Sequence, residues 1–338
     1  MDEIMSVGKI YSMQYMRAVA IVSIVLWHVV EGIRLPWESG YHKVVTLFFS
    51  DGTSIFVMIS GFFFKLSSYK YEVRSYLKSK LKNVISPYII IMVVSIIIFD
   101  PSLSYTKSHV VDGFVRPINY PLWFIPFITT VFLLTPALAM LSSECLSIAA
   151  ALCVFIVIVT DRGDFSLTNH EFFIGNIIHY IPLFIVGMCY AENFQKINEF
   201  VRRNIKMTFA CFLLATIIIL MSNFQYFQYL KRDFYSFYKI PLTLLLVVFF
   251  ECVKIKGKAS AFLTYIGDIS FPIFFLHAIF LIVLFGDNPL GKYVLSLPDG
   301  YKLLSSLIIT MANIFLCAAI SSACKFLFKD KSRLIIGY

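Results

Sequence analysis

Long apolar runs alternate along this chain with short connections rich in Lys, Arg, Pro, Gly and Asn. Ten runs read as membrane-spanning helices, at roughly 11–31, 44–66, 84–99, 122–141, 145–160, 174–191, 206–222, 239–254, 262–285 and 303–327. The third and fifth are short, and the fourth and fifth lie close enough to form a tight hairpin. Asp100-Pro101, Asp287-Asn288-Pro289 and Pro298-Asp299-Gly300 supply turn chemistry between runs. The pattern predicts an all-α polytopic membrane bundle of about ten helices over residues 1–338. It shows no appended soluble domain, internal repeat or low-complexity tract. Helices suit a bilayer because each satisfies its own backbone groups.

Composition agrees: 59% of the 338 residues are hydrophobic and only 14% charged. The net charge of +9 would suggest nucleic acid in a soluble protein, but here the basic residues gather in alternate connections. Lys70, Arg74, Lys78, Lys80 and Lys82 follow the second run. Lys196, Arg202, Arg203 and Lys206 follow the sixth, Lys254, Lys256 and Lys258 the eighth, and Lys325, Lys329, Lys331 and Arg333 the tenth. With Lys9 these make seventeen, against ten in the opposite connections, among them Lys239, Lys292 and Lys302. The positive-inside rule then puts both termini in the cytoplasm. The first run is too long for a signal-peptide core and lacks a small-residue cleavage site, so it reads as a permanent helix. Seven cysteines without a CxxC pair indicate neither a disulfide framework nor a metal site.

Two residues stand out in the first run, YSMQYMRAVAIVSIVLWHVV: Arg17 and His28. Eleven positions apart, they share one helical face about 16 Å apart along the axis, roughly half a bilayer core. Ionisable groups at that depth are costly and point to function. The plainer alternative is an arginine that snorkels to the headgroups and a histidine satisfied in the core. The topology sets Arg17 near the cytoplasmic face and His28 near the outer face. Asp51, near the outer end of the second run, and Glu31, one turn beyond His28, compete to orient the imidazole.

Other segments carry two readings each. In YLKSKLKNVISPY, Lys78 and Lys82 share a face while Lys80 points elsewhere. The segment is either an anchor for anionic lipid or a phosphate grip for a nucleotide-bearing donor. Ser60-Gly61 permits close approach of a helix or of a ligand chain. Trp123 suits the aromatic belt or a sugar ring, as does the aromatic stretch Phe224 to Tyr238. His277 is the second intramembrane histidine, either buried against a neighbouring helix or catalytic. His42 and His109 read as loop residues, and His170, Glu171 and His179 fit no metal motif. P-loop, GxSxG, HExxH and dinucleotide fingerprints are missing.

Taken in order, RAVAIVSIVLWH, FVMISGF, YLKSKLKNVISPY, PLWFI, YIPLFIVGM and ISFPIFFLH resemble the integral-membrane acyltransferase-3 family, which O-acylates sugars of surface polysaccharides such as O-antigen. Arg17 and His28 match that family's arginine, ten residues, then histidine. The basic stretch departs from it, with lysines where arginines are usual. Lysine cannot make a bidentate phosphate fork.

The resemblance implies an enzyme of the bacterial inner membrane that takes acetyl-CoA or another acyl-CoA from the cytosol. The acceptor would be a sugar hydroxyl of a lipid-linked or growing glycan at the outer face. Arg17, Arg74, Lys78, Lys80 and Lys82 would hold the donor, and His28 would be general base with Arg17 in the catalytic pair. A covalent acyl-histidine is a further route. Ser60, Trp123 and His277 would be second-site or acceptor candidates. A secondary transporter or polysaccharide flippase using intramembrane Arg and His is the alternative.

Overall fold

The computed structural model describes residues 10–36, 39–100, 102, 120–160, 169–222, 234–286 and 288–338, and every regular element among them is helical. The ten predicted runs all lie on helix. α1 spans Tyr11–Ile33, α2 Gly40–Phe49 and α3 Gly52–Ser67. α4 (Val73–Lys80) passes through a π turn (Leu81–Ile85) into α5 (Ser86–Phe99). α6 is Phe124–Ala139, α7 Ser143–Val159, α8 Asn169–Glu192, α9 Phe194–Arg203, α10 Ile205–Ser222 and α11 Phe234–Val253. α12 (Gly257–Asp268), α13 (Ser270–Phe285), α14 (Pro289–Ser296), α15 (Asp299–Phe328) and α16 (Ser332–Ile336) complete the order. Among the described residues seven segments are long and apolar enough to cross a membrane, or up to eight if a bent pair is one span. α7 and the apolar part of α10 are shorter apolar helices that fall below that length.

Three expected helices have a different shape, and in each the reason is local. The second run breaks at Asp51, which sits in the left-handed region (φ 53°, ψ 36°) between α2 and α3. Aspartate tolerates that conformation because its short polar side chain bonds locally. The third span starts at Val73 instead of 84, so the basic stretch is helical and not a loop. Pro87 lacks an N–H for the carbonyl of Asn83, and the wide turn just before it absorbs the lost register. The ninth run is two helices bent by 72° at Ile269. Pro272 stands in the first turn of α13, where a missing N–H costs nothing, and its ring excludes a straight path past Asp268. Residues 286–302, read as a loop, contain α14 and the start of α15. Most of the segments expected on the outer side at 100–121 and 223–238, with His109, lie outside the described residues.

The chain forms two compact units. One takes α1 up to Ala20, Ser50–Tyr71 and Leu134–Gly267; the other takes α1 from Ile21, the residues to Phe49, Glu72–Leu133 and Asp268–Tyr338.

The first unit centres on α3 against α8. A Cβ on Gly61 would stand 2.0 Å from the Phe184 carbonyl oxygen, and one on Gly187 would stand 2.0 Å from that of Met58. Each glycine admits the other helix's backbone, as small residues do where lipid removes any hydrophobic drive for association. Helix packing is therefore the structural role of Ser60-Gly61. Gly61→Ala should cost about 1–3 kcal/mol or more by overpacking. Thermal unfolding in detergent reads this as a lowered Tm, whereas Ser60→Ala, which removes only a bond to Phe56 of its own helix, should leave Tm nearly unchanged.

In the second unit α13 packs on α5, α14 and α15, and α16 packs on α5 and the π turn. Gly32 brings the C-terminal half of α1 against the Phe285 ring, where a Cβ would approach to 2.5 Å.

Candidate functional site: two histidines and an acidic partner

His28 lies on α1, one turn before Glu31, and its Nδ1 is 3.0 Å from the Glu31 carboxylate. A carboxylate only accepts, so Nδ1 donates and Nε2 of the neutral ring keeps its lone pair. The His28 side chain is 19% exposed and that of Glu31 48%, so both remain reachable. Of the two carboxylates weighed for His28, Glu31 makes this contact.

His277, on α13, faces His28 with ring centroids 5.5 Å apart and planes tilted by 31°. It is fully buried. Its Nδ1 lies 2.8 Å from the Phe274 carbonyl oxygen and 3.1 Å from that of Ile273. Two carbonyl acceptors require Nδ1–H, so Nε2 is again the basic nitrogen. That Nε2 is buried and has no hydrogen-bond partner among the described residues. An orphaned buried polar atom costs about 1–3 kcal/mol, and a native one calls for an explanation. Asn313 on α15 donates to the His277 carbonyl at 3.0 Å and fixes that turn of α13.

Aromatic rings continue from the pair. Phe274 lies 6.0 Å from His277 and 5.4 Å from Phe124, and Trp123 follows at 6.3 Å from Phe124. Trp123 ends a 3₁₀ turn, Tyr120–Trp123, that packs on α13. His42 is not a loop residue: it is buried in α2, with Thr46 Oγ1 at 3.2 Å from its Nδ1 and the Trp27 ring edge-on at 5.9 Å.

Arg17 is half-buried on α1 and donates to Gln14 Oε1 at 3.4 Å. Arg74, Lys78 and Lys82 are exposed on the helical basic stretch. Lys80, the one turned to another face, is half-buried, with Nζ 4.8 Å from the Tyr76 ring centroid and 5.0 Å from that of Phe132. Cation–π contact of this kind replaces part of an ammonium's hydration.

Asp51 belongs to a polar cluster that the sequence reading missed. It accepts from Tyr180 at 2.7 Å, from Ser236 at 2.6 Å and from Ser54. His179 Nε2 lies 2.6 Å from Ser236 Oγ, and since that hydroxyl gives its proton to Asp51, the imidazole donates. Lys239 is fully buried on α11 rather than in an outer loop, and Asp51 is the opposite charge acting on it. The usable signal was a lysine two residues before Pro241 inside an apolar run.

No group of three or more His, Cys, Asp or Glu side chains able to hold a metal occurs among the described residues. Neither a search of curated proteins nor one of solved structures returned a match. A family model described as an acyltransferase domain matches residues 10–323, from α1 through most of α15 and across both facing histidines, and the chain thus belongs to the acyltransferase-3 family of membrane acyltransferases.

Proposed function

We propose that this enzyme moves an acyl group, acetyl in the first instance, from acyl-CoA to a sugar hydroxyl of a surface or lipid-linked polysaccharide such as O-antigen. The reading places it in the bacterial inner membrane with both termini cytoplasmic, supported by the lysine and arginine asymmetry. The observation that carries it is the orphaned His277 Nε2 beside a His28 whose Nδ1 is held by Glu31. A basic nitrogen with nothing to accept from suits the hydroxyl of an incoming sugar.

In this mechanism His28 Nε2 takes the proton of the acceptor hydroxyl as its oxygen attacks the thioester carbonyl. The C–O bond forms, the C–S bond breaks, and the imidazolium returns its proton to the leaving thiolate. Glu31 stabilises the imidazolium between those steps, and His277 Nε2 accepts a hydrogen bond that positions the sugar. Arg17, half-buried on α1, and the exposed Arg74, Lys78 and Lys82 bring positive charge for the donor's phosphates. Lys80 contributes less, its ammonium being seated on two rings.

The test is transfer of label from radiolabelled acetyl-CoA to surface glycan in a deletion host carrying the wild-type chain. Labelled glycan is the expected result. No label with any of several acyl donors, together with altered glycan export, would sink the enzyme reading and turn it toward the transporter or flippase.

A further inference from the structure

α15, one of the segments long and apolar enough to cross a membrane, carries a ladder of buried polar side chains: Ser306, Thr310, Asn313, Cys317 and Ser321. Their spacing of three or four residues sets them on one face. Three of them spend their hydroxyls on their own helix. Ser306 donates to the Leu303 carbonyl at 2.7 Å, Thr310 to that of Ser306 at 2.7 Å and Ser321 to that of Cys317 at 2.6 Å. Asn313 differs, because its amide crosses to α13 and donates to the His277 carbonyl at 3.0 Å. A backbone carbonyl only accepts, so Nδ2 faces it and Oδ1 is left for the Cys317 thiol, which donates to it at 3.3 Å. The thiol thereby fixes which way the amide is turned.

The far end of that bond is the turn that carries the imidazole. Among the described residues the hydrogen bonds of the His277 ring go to its own helix, from Nδ1 to the Ile273 and Phe274 carbonyls, and Nε2 has no partner. The place of the ring opposite His28 is therefore set by the place of one turn of α13. Asn313, Cys317 and His277 all belong to the second unit, as do His28 and Glu31. Inside a bilayer such a cross-helix amide is one of the few directional contacts between helices, since lipid supplies no hydrophobic drive to hold them in register.

We propose that Asn313 is a positioning residue for acyl transfer. Held by Cys317, it sets the turn of α13 that presents His277 Nε2 to the acceptor hydroxyl. The inference rests on the acyltransferase reading, in which that nitrogen accepts a hydrogen bond from the sugar. Such a bond is made in the ground state and the transition state alike, so misplacing Nε2 raises the acceptor's KM and spares kcat.

The test is steady-state transfer from acetyl-CoA to glycan purified from the deletion host, by full-length protein in nanodiscs at matched content. Asn313→Leu, similar in size but without a donor, should raise the KM of the glycan about tenfold, since misplacement by about 1 Å can cost up to about 10²-fold. kcat and the KM of acetyl-CoA should stay near their wild-type values. Cys317→Ala, which leaves the amide free to turn over, should shift the glycan's KM the same way by a smaller factor. Cys317→Ser keeps a donor and should restore it. If Asn313→Leu does not reach the membrane, the two Cys317 variants decide alone. A merely structural bond would lower the active fraction, and so kcat, at unchanged KM. That pattern, or a glycan KM unmoved by both Asn313→Leu and Cys317→Ala, overturns the proposal. A wild type that transfers no acyl group defeats the acyltransferase reading instead. The readout is then the nitrogen-15 resonance of His277 Nε2, identified by its loss in His277→Gln. A saturable shift on adding the glycan, weakened about tenfold in Asn313→Leu, retains the positioning role, and no shift in the wild type overturns it.

Discussion

His28→Gln should lower kcat for acyl transfer by about 10²–10⁴, the usual worth of a positioned general base. Glutamine keeps a similar bulk and can still donate toward Glu31, but it has no nitrogen that takes up a proton. The donor's KM should change little, because an interaction made only in the transition state falls out of kcat and kcat/KM alike. Glu31→Gln should have the same sign and a smaller size, since it removes the charge that steadies the imidazolium while leaving the base in place. The measurement is steady-state transfer in membranes matched for protein content. A His28→Gln enzyme with wild-type kcat would take the base out of α1 altogether. In that case His277, whose Nε2 is already the basic nitrogen, would be the next residue to replace.

Asp51→Asn should destabilise the protein by up to about 3–5 kcal/mol, because it removes an opposite charge that acts on a buried lysine. That lysine is Lys239, which has no exposed surface. Asparagine tolerates the left-handed backbone at this position about as well as aspartate, so the change isolates charge from backbone strain. It also weakens the acceptance from Tyr180 and Ser236, two bonds that gain from an ionised acceptor. Thermal unfolding in a single detergent should show the fall in Tm. Pairing Asp51→Asn with Lys239→Met should restore much of it, because the double change removes both charges. Equal Tm for Asp51→Asn and wild type would mean that Lys239 draws its compensation elsewhere.

Much of the scaffold was legible because a spanning helix declares itself by length and apolarity alone, and every predicted run is helical. Arg17 and His28 were legible for the same reason, since a cation and an imidazole on one face of an apolar helix need no tertiary knowledge to notice. Glu31 was one of two carboxylates open to His28 in the sequence, and its hydrogen bond to the imidazole separates it from Asp51. What escaped was of two kinds. The breaks at Asp51 and Ile269 and the π turn depend on single residues whose effect is to redirect a helix, and apolarity continues straight through them. Pro87 and Pro272 were visible signals that a run-length reading passes over. The cluster of Asp51, Tyr180, His179, Ser236 and Lys239 is of the second kind. Asp51 and Ser236 are 185 positions apart, and a polar residue in an apolar run reveals neither its partner nor whether it has one. The facing of His28 and His277, 249 positions apart by numbering, belongs with them.

The mutual seating of Gly61 and Gly187 bears on how the protein can be handled. That seam joins peptide backbone to peptide backbone, so its strength comes from close dispersion contacts and not from the expulsion of water. Exchanging bilayer for micelle leaves such a contact intact, and the first unit should come through extraction with its centre unaltered. A preparation can therefore be well folded at that seam by every spectroscopic measure after its lipid has been replaced by detergent.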